Sequence, residues 1–364
     1  MKRLLILMLI LPAFIGRAYA EDLGESALDA FDAKAMERAL SEEEAAISGS
    51  VGLERYDAGA ALSRLWRAFA DRLRAELHSS LGFAANLLAL LFLNAFLCAV
   101  CQEEKIRDLI EMSAACAAAI LLAGGVNTLI GQTAQAMYRL SDYSKAALPV
   151  IYTAAAAAGA VSSAAVRYAA ATFALDVMMS LAQKAVIPLI YADLALGLTD
   201  VLFANPILGA VEKLVRWAAR TVMTYAALAF TAYLSMSALI STSVDAAAIK
   251  TARSVISGAL PVVGGMISDA SAALLSAAAL VRSCTGVFGL IAVCAISVGP
   301  FAVLAVKHFV FKTVAAVAES LQSPRLKQLF SCVGSAAAML MGLLGCSAVM
   351  LFLAFTTGMK AVTG

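Results

Sequence analysis

Beyond residue 82, apolar residues dominate the chain in long runs that short polar stretches divide. These runs cover 83–101, 112–130, 149–166, 168–182, 185–201, 218–240, 254–281, 284–306 and 329–355. A helix needs about 20 apolar residues to cross a bilayer. The pattern therefore predicts an all-α polytopic membrane protein with about seven or eight transmembrane helices. The short runs 168–182 and 185–201 predict a re-entrant hairpin or two short spans, and either arrangement returns the chain to the side that it left.

The first 20 residues have the pattern of a secretory signal peptide. Two basic residues precede an apolar stretch that ends at Ile15, and Ala18-Tyr19-Ala20 supplies small residues before a cleavage site. We therefore predict cleavage before Glu21, which places the following region outside the cytoplasm. An uncleaved first anchor is the alternative interpretation.

Residues 21–81 predict a short extracytoplasmic region of amphipathic helices. Ser41 and Glu44 have the spacing of a capping box, which marks the start of a helix. Leucine and aromatic side chains between residues 62 and 77 line one face of a second helix. Such a helix, directly before a span, either lies on the membrane surface or docks against a partner helix.

The apolar run 254–281 differs from the others because it contains helix breakers and a carboxylate. Broken backbone is tolerated at membrane depth only where protein or a water-filled cavity satisfies its polar groups. When this run enters and leaves by one face, the cytoplasmic loops hold the larger share of Lys and Arg, as the positive-inside rule requires; Arg216 and Lys307 are then in cytoplasmic loops and Arg139 in an outer loop. We therefore predict that 254–281 is a re-entrant segment of a membrane domain that covers 82–364. The pore or gate residues that we predict are Pro261, Gly264, Gly265 and Asp269.

Charged residues in the apolar runs are candidates for functional sites, since burying a charge at mid-bilayer costs at least about 2.5 kcal/mol. Asp269 is the first candidate, because it follows a helix break; an interfacial carboxylate or a helix cap is an equally supported role for it. Asp176 and Asp193 are secondary candidates, for which a position near the membrane interface is the simpler interpretation. Gly334, Ala338 and Gly342 recur every four residues and predict close helix packing, within the bundle or between subunits.

Composition supports the membrane class and narrows the chemistry. Hydrophobic residues make up 62% of the chain and charged residues only 14%, whereas soluble domains have about 25% charged residues. A net charge of +2 gives no support for nucleic-acid binding. The seven cysteines lie in or beside apolar runs, so they predict no disulfide framework. The sequence contains no phosphate-binding loop and no His-Glu-x-x-His, so we expect neither an enzyme nor a cofactor or metal site.

Several motifs resemble the stage III sporulation protein AE family of endospore-forming bacteria. The strongest similarity covers 243–290, which includes Ala248-Ile249-Lys250-Thr251-Ala252 and Pro261-Val262-Val263-Gly264-Gly265. Ile187-Pro188-Leu189-Ile190-Tyr191 and Ser323-Pro324-Arg325 are also similar to the family. The order of signal peptide, short exported region and polytopic body agrees as well, so the resemblance covers most of 21–364.

The resemblance implies an integral membrane subunit of a transport or secretion-like channel complex between mother cell and forespore. Such a subunit would lie in the mother-cell membrane around the forespore and support forespore development after engulfment. Its implied partners are the lipid bilayer, other subunits of the stage III complex, among them a separate cytoplasmic ATPase, and further copies of itself. No catalytic residues follow from the resemblance. The alternatives are a stand-alone secondary transporter that uses intramembrane carboxylates, and a non-conducting membrane scaffold.

Overall fold

The computed structural model describes residues 34–50, 58–101, 103–157, 161–203, 206–259 and 264–359, and every regular element in these ranges is helical. The predicted all-α class is therefore confirmed. The predicted signal peptide, residues 1–20, lies outside the described residues. The helices are α1 (Lys34–Arg38), α2 (Glu42–Ser48), α3 (Ala58–Val100), α4 (Glu104–Ala157), α5 (Val161–Leu181), α6 (Ile187–Phe203), α7 (Pro206–Ala259), α8 (Gly264–Ser320) and α9 (Pro324–Met359).

Five stretches of the described residues are helical, long and apolar enough to cross a membrane, as a multi-pass protein requires. They are Ala58–Val100, Glu104–Ala157, Ala164–Phe203, Cys284–Ser320 and Pro324–Met359. The predicted count of seven or eight is not confirmed. One reason is that the predicted run 112–130 and the first half of 149–166 belong to the single helix α4. The residues between these runs include no proline, so their polarity alone does not end the helix.

The predicted hairpin at 168–182 and 185–201 is wrong. A π-helical turn, Ala182–Val186, joins α5 directly to α6, so the two runs form one continuous helix. The wider turn comes just before Pro188, which lacks the N–H that would bond to residue 184 and whose ring crowds that carbonyl. The π turn accommodates this disruption without reversing the chain. The continuous helix formed by α5 and α6 therefore does not return the chain to the side from which it started, contrary to the predicted topology.

The long helices alternate in direction around α8 and α9. Phe83 of α3 packs edge-on against Phe311 of α8, with ring centroids 6.1 Å apart. Farther along α3, the side chain of Asn94 donates to the hydroxyl of Ser323, just after α8, at 3.0 Å. These contacts show that α3 and α8 run parallel, while α9 returns along α8 in the opposite direction. Among the 18 most apolar consecutive residues of α8, 72% are buried, whereas in α3 the corresponding share is 17%. Helix α8 is therefore central in the bundle.

The first helices of the described chain are attached to this bundle. Ser41 and Glu44 form the predicted capping box at the start of α2, with both reciprocal hydrogen bonds present. The same Glu44 carboxylate accepts a hydrogen bond from Arg139 of α4. Met36 of α1 is fully buried in the hydrophobic core. Thus α1 and α2 pack on the bundle through both an ion pair and apolar contact.

The helix predicted to precede the first span is continuous with it, because α3 extends from Ala58 to Val100. Near the middle of α3, Glu76 forms an ion pair with Lys307 of α8 at 3.2 Å, and Ser80 accepts a hydrogen bond from the same ammonium group at 2.9 Å. The predicted topology placed Lys307 in the cytoplasm and Glu76 outside it. Their contact shows that these two placements are incompatible.

Candidate functional site

Asp193 is the buried acidic centre of a charged cluster between α6, α7 and α9. Asp193 is fully buried, and it is a charged residue in one of the most apolar helices of the chain. Arg216 of α7 donates through Nε to both carboxylate oxygens, at 3.1 Å to Oδ1 and 3.3 Å to Oδ2. The Arg216 side chain is 22% exposed, so the guanidinium enters the cluster from its more open side.

Two further side chains complete the charged cluster, which we define as Asp193, Glu212, Arg216 and Cys332. Glu212 lies one turn before Arg216 on α7, is itself buried, and accepts a hydrogen bond from Nη2 of Arg216. The thiol of Cys332, on α9, lies 3.9 Å from the main-chain oxygen of Asp193 and 3.8 Å from Nη2 of Arg216. The cluster therefore joins three different helices around one guanidinium.

Gly197 permits the close approach of α6 to this cluster. It lies one helical turn after Asp193, so it is on the same face of α6. A Cβ atom at this position would lie 2.3 Å from the Cys332 sulfur and 3.3 Å from Oε1 of Glu212. Any larger residue would have to displace the thiol, so glycine here keeps the three helices close enough for the cluster to form.

The electrostatics of the cluster make its members interdependent. At the 3.1 Å separation of Arg216 and Asp193, the attraction is roughly 5 kcal/mol at an effective dielectric constant of about 20. Desolvation of the buried groups offsets much of this energy, but removing one partner of a buried pair costs about 3–5 kcal/mol. With a neutral thiol, two carboxylates and one guanidinium leave a formal charge of −1. Loss of any one charged member would therefore leave another buried charge unpaired and destabilise the helix packing.

The other predicted site residues are not brought to this cluster. Asp176 lies on the exposed side of α5. Gly264 and Gly265 are the first two residues of α8, and Asp269 follows in its second turn. Pro261 and the side chain of Asp269 lie outside the described part of the chain. The helices end at Ala259 and resume at Gly264, and the re-entrant segment with its pore or gate stays a prediction.

Sequence reasoning missed the partners of Asp193. It assigned Arg216 to a cytoplasmic loop, but α7 already begins at Pro206, a residue that favours the first position of a helix. Once that start is recognised, Glu212 and Arg216 have the i,i+4 spacing of an ion pair on one helical face. Cys332 was placed only in an apolar run, with no site assigned to it, and the structure shows that it is 4% exposed. Nothing in the sequence indicated that its sulfur faces two carboxylates.

The tight packing predicted from small residues in α9 occurs within the bundle. A Cβ at Gly334 would lie 3.4 Å from the Cβ of Phe311 in α8, which is ordinary contact distance. A Cβ at Gly342 would lie 3.3 Å from the terminal carbon of Met223 in α7. These glycines therefore face α8 and α7 of the same chain.

Comparison with known proteins identifies a sporulation family. The model of a family described as stage III sporulation protein AE matches residues 52–361. A Bacillus subtilis (strain 168) protein named stage III sporulation protein AE is 21% identical over 237 residues. This alignment covers 65% of the present chain and 59% of the relative, so the chain spans less than two thirds of that protein. No solved structure matches the chain.

Proposed function

Since the chain belongs to the stage III sporulation protein AE family, we propose that it is an integral membrane subunit of a transport or secretion-like channel complex between mother cell and forespore. The subunit would lie in the mother-cell membrane around the forespore and be needed for forespore development after engulfment. The observation that carries this proposal is the family match, which extends over residues 52–361 and so includes nearly all the described helices.

The chemistry of the chain supports a passive subunit that works with an energy-supplying partner. Its sequence has no phosphate-binding loop, so we propose that a separate cytoplasmic ATPase drives the complex. The other partners that we propose are further stage III subunits, the lipid bilayer and other copies of this chain. The helices α1 and α2 and the part of α3 before residue 82 would face the space between the two membranes and could contact partners there.

The charged cluster supports a role beyond simple anchoring. Ionisable groups inside apolar helices are costly, and they usually mark substrate or ion paths. Here Asp193 and Glu212 are buried and connect α6, α7 and α9 through Arg216. In the proposed complex, this connection fixes the relative positions of three helices that would border a path.

A genetic experiment tests the proposed function. The gene is deleted in the native host, and sporulation is followed by microscopy after complementation with wild type or with Asp193→Asn. We expect the deletion strain to arrest after engulfment with a failing forespore, and wild type to restore spores. Normal spores in the deletion strain would contradict the proposal. Immunoblotting of membrane fractions separates a functional defect of Asp193→Asn from loss of the protein.

A stand-alone secondary transporter is the second candidate, because the fully buried Asp193 suits an ion-coupling carboxylate. Purified protein reconstituted alone into liposomes distinguishes the two functions. Solute uptake driven by an ion gradient, and abolished by Asp193→Asn, would favour the transporter. Absence of such uptake, together with arrest of the deletion strain after engulfment, would favour the complex subunit.

A further inference from the structure

Three members of the charged cluster are of the types that bind metal ions. Asp193, Glu212 and Cys332 each offer one ligand atom, and these three atoms all lie within 4.8 Å of one another. All three residues are buried, and they come from α6, α7 and α9. A buried set of two carboxylates and a thiol at this separation is unlike the exposed acidic groups that commonly occur on protein surfaces.

We propose that the charged cluster binds a divalent, thiolate-preferring cation of the zinc class. One oxygen of Asp193, one oxygen of Glu212 and the sulfur of Cys332 would be the protein ligands. Carboxylate and thiolate groups are both common zinc ligands, and sulfur favours zinc over magnesium or calcium. This proposal is independent of the transport function proposed above, since it depends only on the donor set.

The ligand side chains would have to move only a short distance to bind the ion. Zinc–sulfur bonds of about 2.3 Å and zinc–oxygen bonds of about 2.1 Å place tetrahedral ligand atoms about 3.4–3.6 Å apart. The present limit of 4.8 Å therefore requires a contraction of about 1 Å, which side-chain torsions of Asp193 and Glu212 can provide. Gly197 helps, because the absence of a Cβ leaves Cys332 and Glu212 in direct proximity.

Charge balance favours a divalent ion with a deprotonated thiol. Two carboxylates and one thiolate carry three negative charges, and a divalent ion with the Arg216 guanidinium carries three positive charges. The bound cluster is then neutral by itself, whereas its four side chains alone keep a formal charge of −1, which Arg220, one turn after Arg216 on α7, offsets in part. A proton shared by the carboxylates would also balance the charge, and the neutral Cys332 thiol would then only donate its weak hydrogen bond to the main-chain oxygen of Asp193.

Arg216 holds the three ligands together and would move aside when the ion binds. Its guanidinium now contacts both carboxylates and lies 3.8 Å from the sulfur, so it holds the three ligands around one position. On metal binding, Nη2 would leave Glu212 and Cys332, while Nε keeps its bonds to Asp193. The partial exposure of Arg216 gives the side chain room to withdraw without dismantling the cluster.

Metal titration of the full-length protein in detergent tests the proposal. The protein is stripped with a chelator and titrated with Co²⁺, whose bond to a thiolate gives a charge-transfer absorption band, and zinc content is measured in parallel. We expect one ion per chain. Cys332→Ser should lose the band and weaken binding at least about tenfold, since even residues behind a ligand typically contribute 10–100-fold. Cys346→Ser, farther along α9 and outside the cluster, should behave as wild type.

A second variant protects the test from a folding defect of Cys332→Ser. Changing the six other cysteines to serine leaves Cys332 as the only thiol, and this variant should keep the band and the stoichiometry. A wild-type protein that binds no metal, or a band of equal strength in Cys332→Ser, would overturn the proposal. The first result would favour a shared proton, and the second would show adventitious binding at other thiols.

Discussion

Replacing Arg216 with leucine is the sharpest perturbation of the charged cluster. The change removes the only cation that forms ion pairs with both Asp193 and Glu212 among the described residues, and it leaves two carboxylates facing each other in a buried position. The lost attraction is roughly 5 kcal/mol at the 3.1 Å distance and an effective dielectric constant of about 20. Breaking buried pairs in this way costs about 3–5 kcal/mol, a large part of a typical unfolding free energy of about 5–15 kcal/mol.

The assay is thermal denaturation of purified protein in detergent, followed by tryptophan fluorescence and by the fraction that stays monodisperse after heating. We expect Arg216→Leu to lower the midpoint strongly. Lys213→Leu is the matched control, because Lys213 is a basic residue on the exposed side of the same helix. Its replacement should change the unfolding free energy by no more than about 0.5 kcal/mol.

A double-mutant cycle tests the physical reason. Neutralising Asp193 in the Arg216→Leu background removes one of the two uncompensated charges. The combination Asp193→Asn with Arg216→Leu should therefore be more stable than the sum of the single changes predicts, by about 1–3 kcal/mol. Additive effects, or an Arg216→Leu protein as stable as wild type, would refute the electrostatic account of this cluster.

Three further predictions concern other parts of the structure. Gly197→Ala should lower the unfolding free energy by about 1–3 kcal/mol, because its Cβ would meet the Cys332 sulfur at 2.3 Å, and Cys332→Ala should relieve part of the loss in the same thermal assay. Glu44→Ala removes the ion pair with Arg139 and one half of the capping box, so limited proteolysis should cleave near residues 34–50 faster than in wild type. Asp269→Asn should reduce spore formation at normal membrane protein levels, and wild-type sporulation by this variant would remove Asp269 from the mechanism.

Local signals in the sequence predicted local structure well. The capping box needs only Ser41 and Glu44, three residues apart, and it forms as expected. The all-α class follows from runs of apolar residues, whose backbone polar groups must be satisfied within each segment in a bilayer. These features depend on neighbours in the chain, so no knowledge of the tertiary structure was required.

Helix ends and topology could not be obtained in the same way. Polar residues between two apolar runs suggested loops, but α4 continues through them because that stretch contains no proline. The positive-inside comparison then counted Arg139 and Lys307 as loop residues, although both lie within helices and form ion pairs there. Charges that are neutralised by a partner carry little information about the side of the membrane.

Of the candidate site, the sequence indicated Asp193 but not its partners. Asp193 was a candidate because a carboxylate in an apolar run is costly, and its burial agrees with that argument. Its partners come from α7 and α9, the latter more than a hundred residues away along the chain, so only the packing of the bundle shows the cluster. Gly197 was unremarkable as one more small residue until the position of the Cys332 sulfur was known.

The continuity of α3 has a mechanical consequence. Its 43 residues extend about 65 Å at 1.5 Å per residue, roughly twice the 30 Å thickness of a bilayer core. A rigid rod of this length cannot be contained in the membrane unless it is strongly tilted. Because Glu76 and Asn94 fasten it to α8 and to the turn after α8, a partner that pulls on the projecting part would shift the central helix as well. The helix is thus suited to act as a lever between the compartments on the two sides of the membrane.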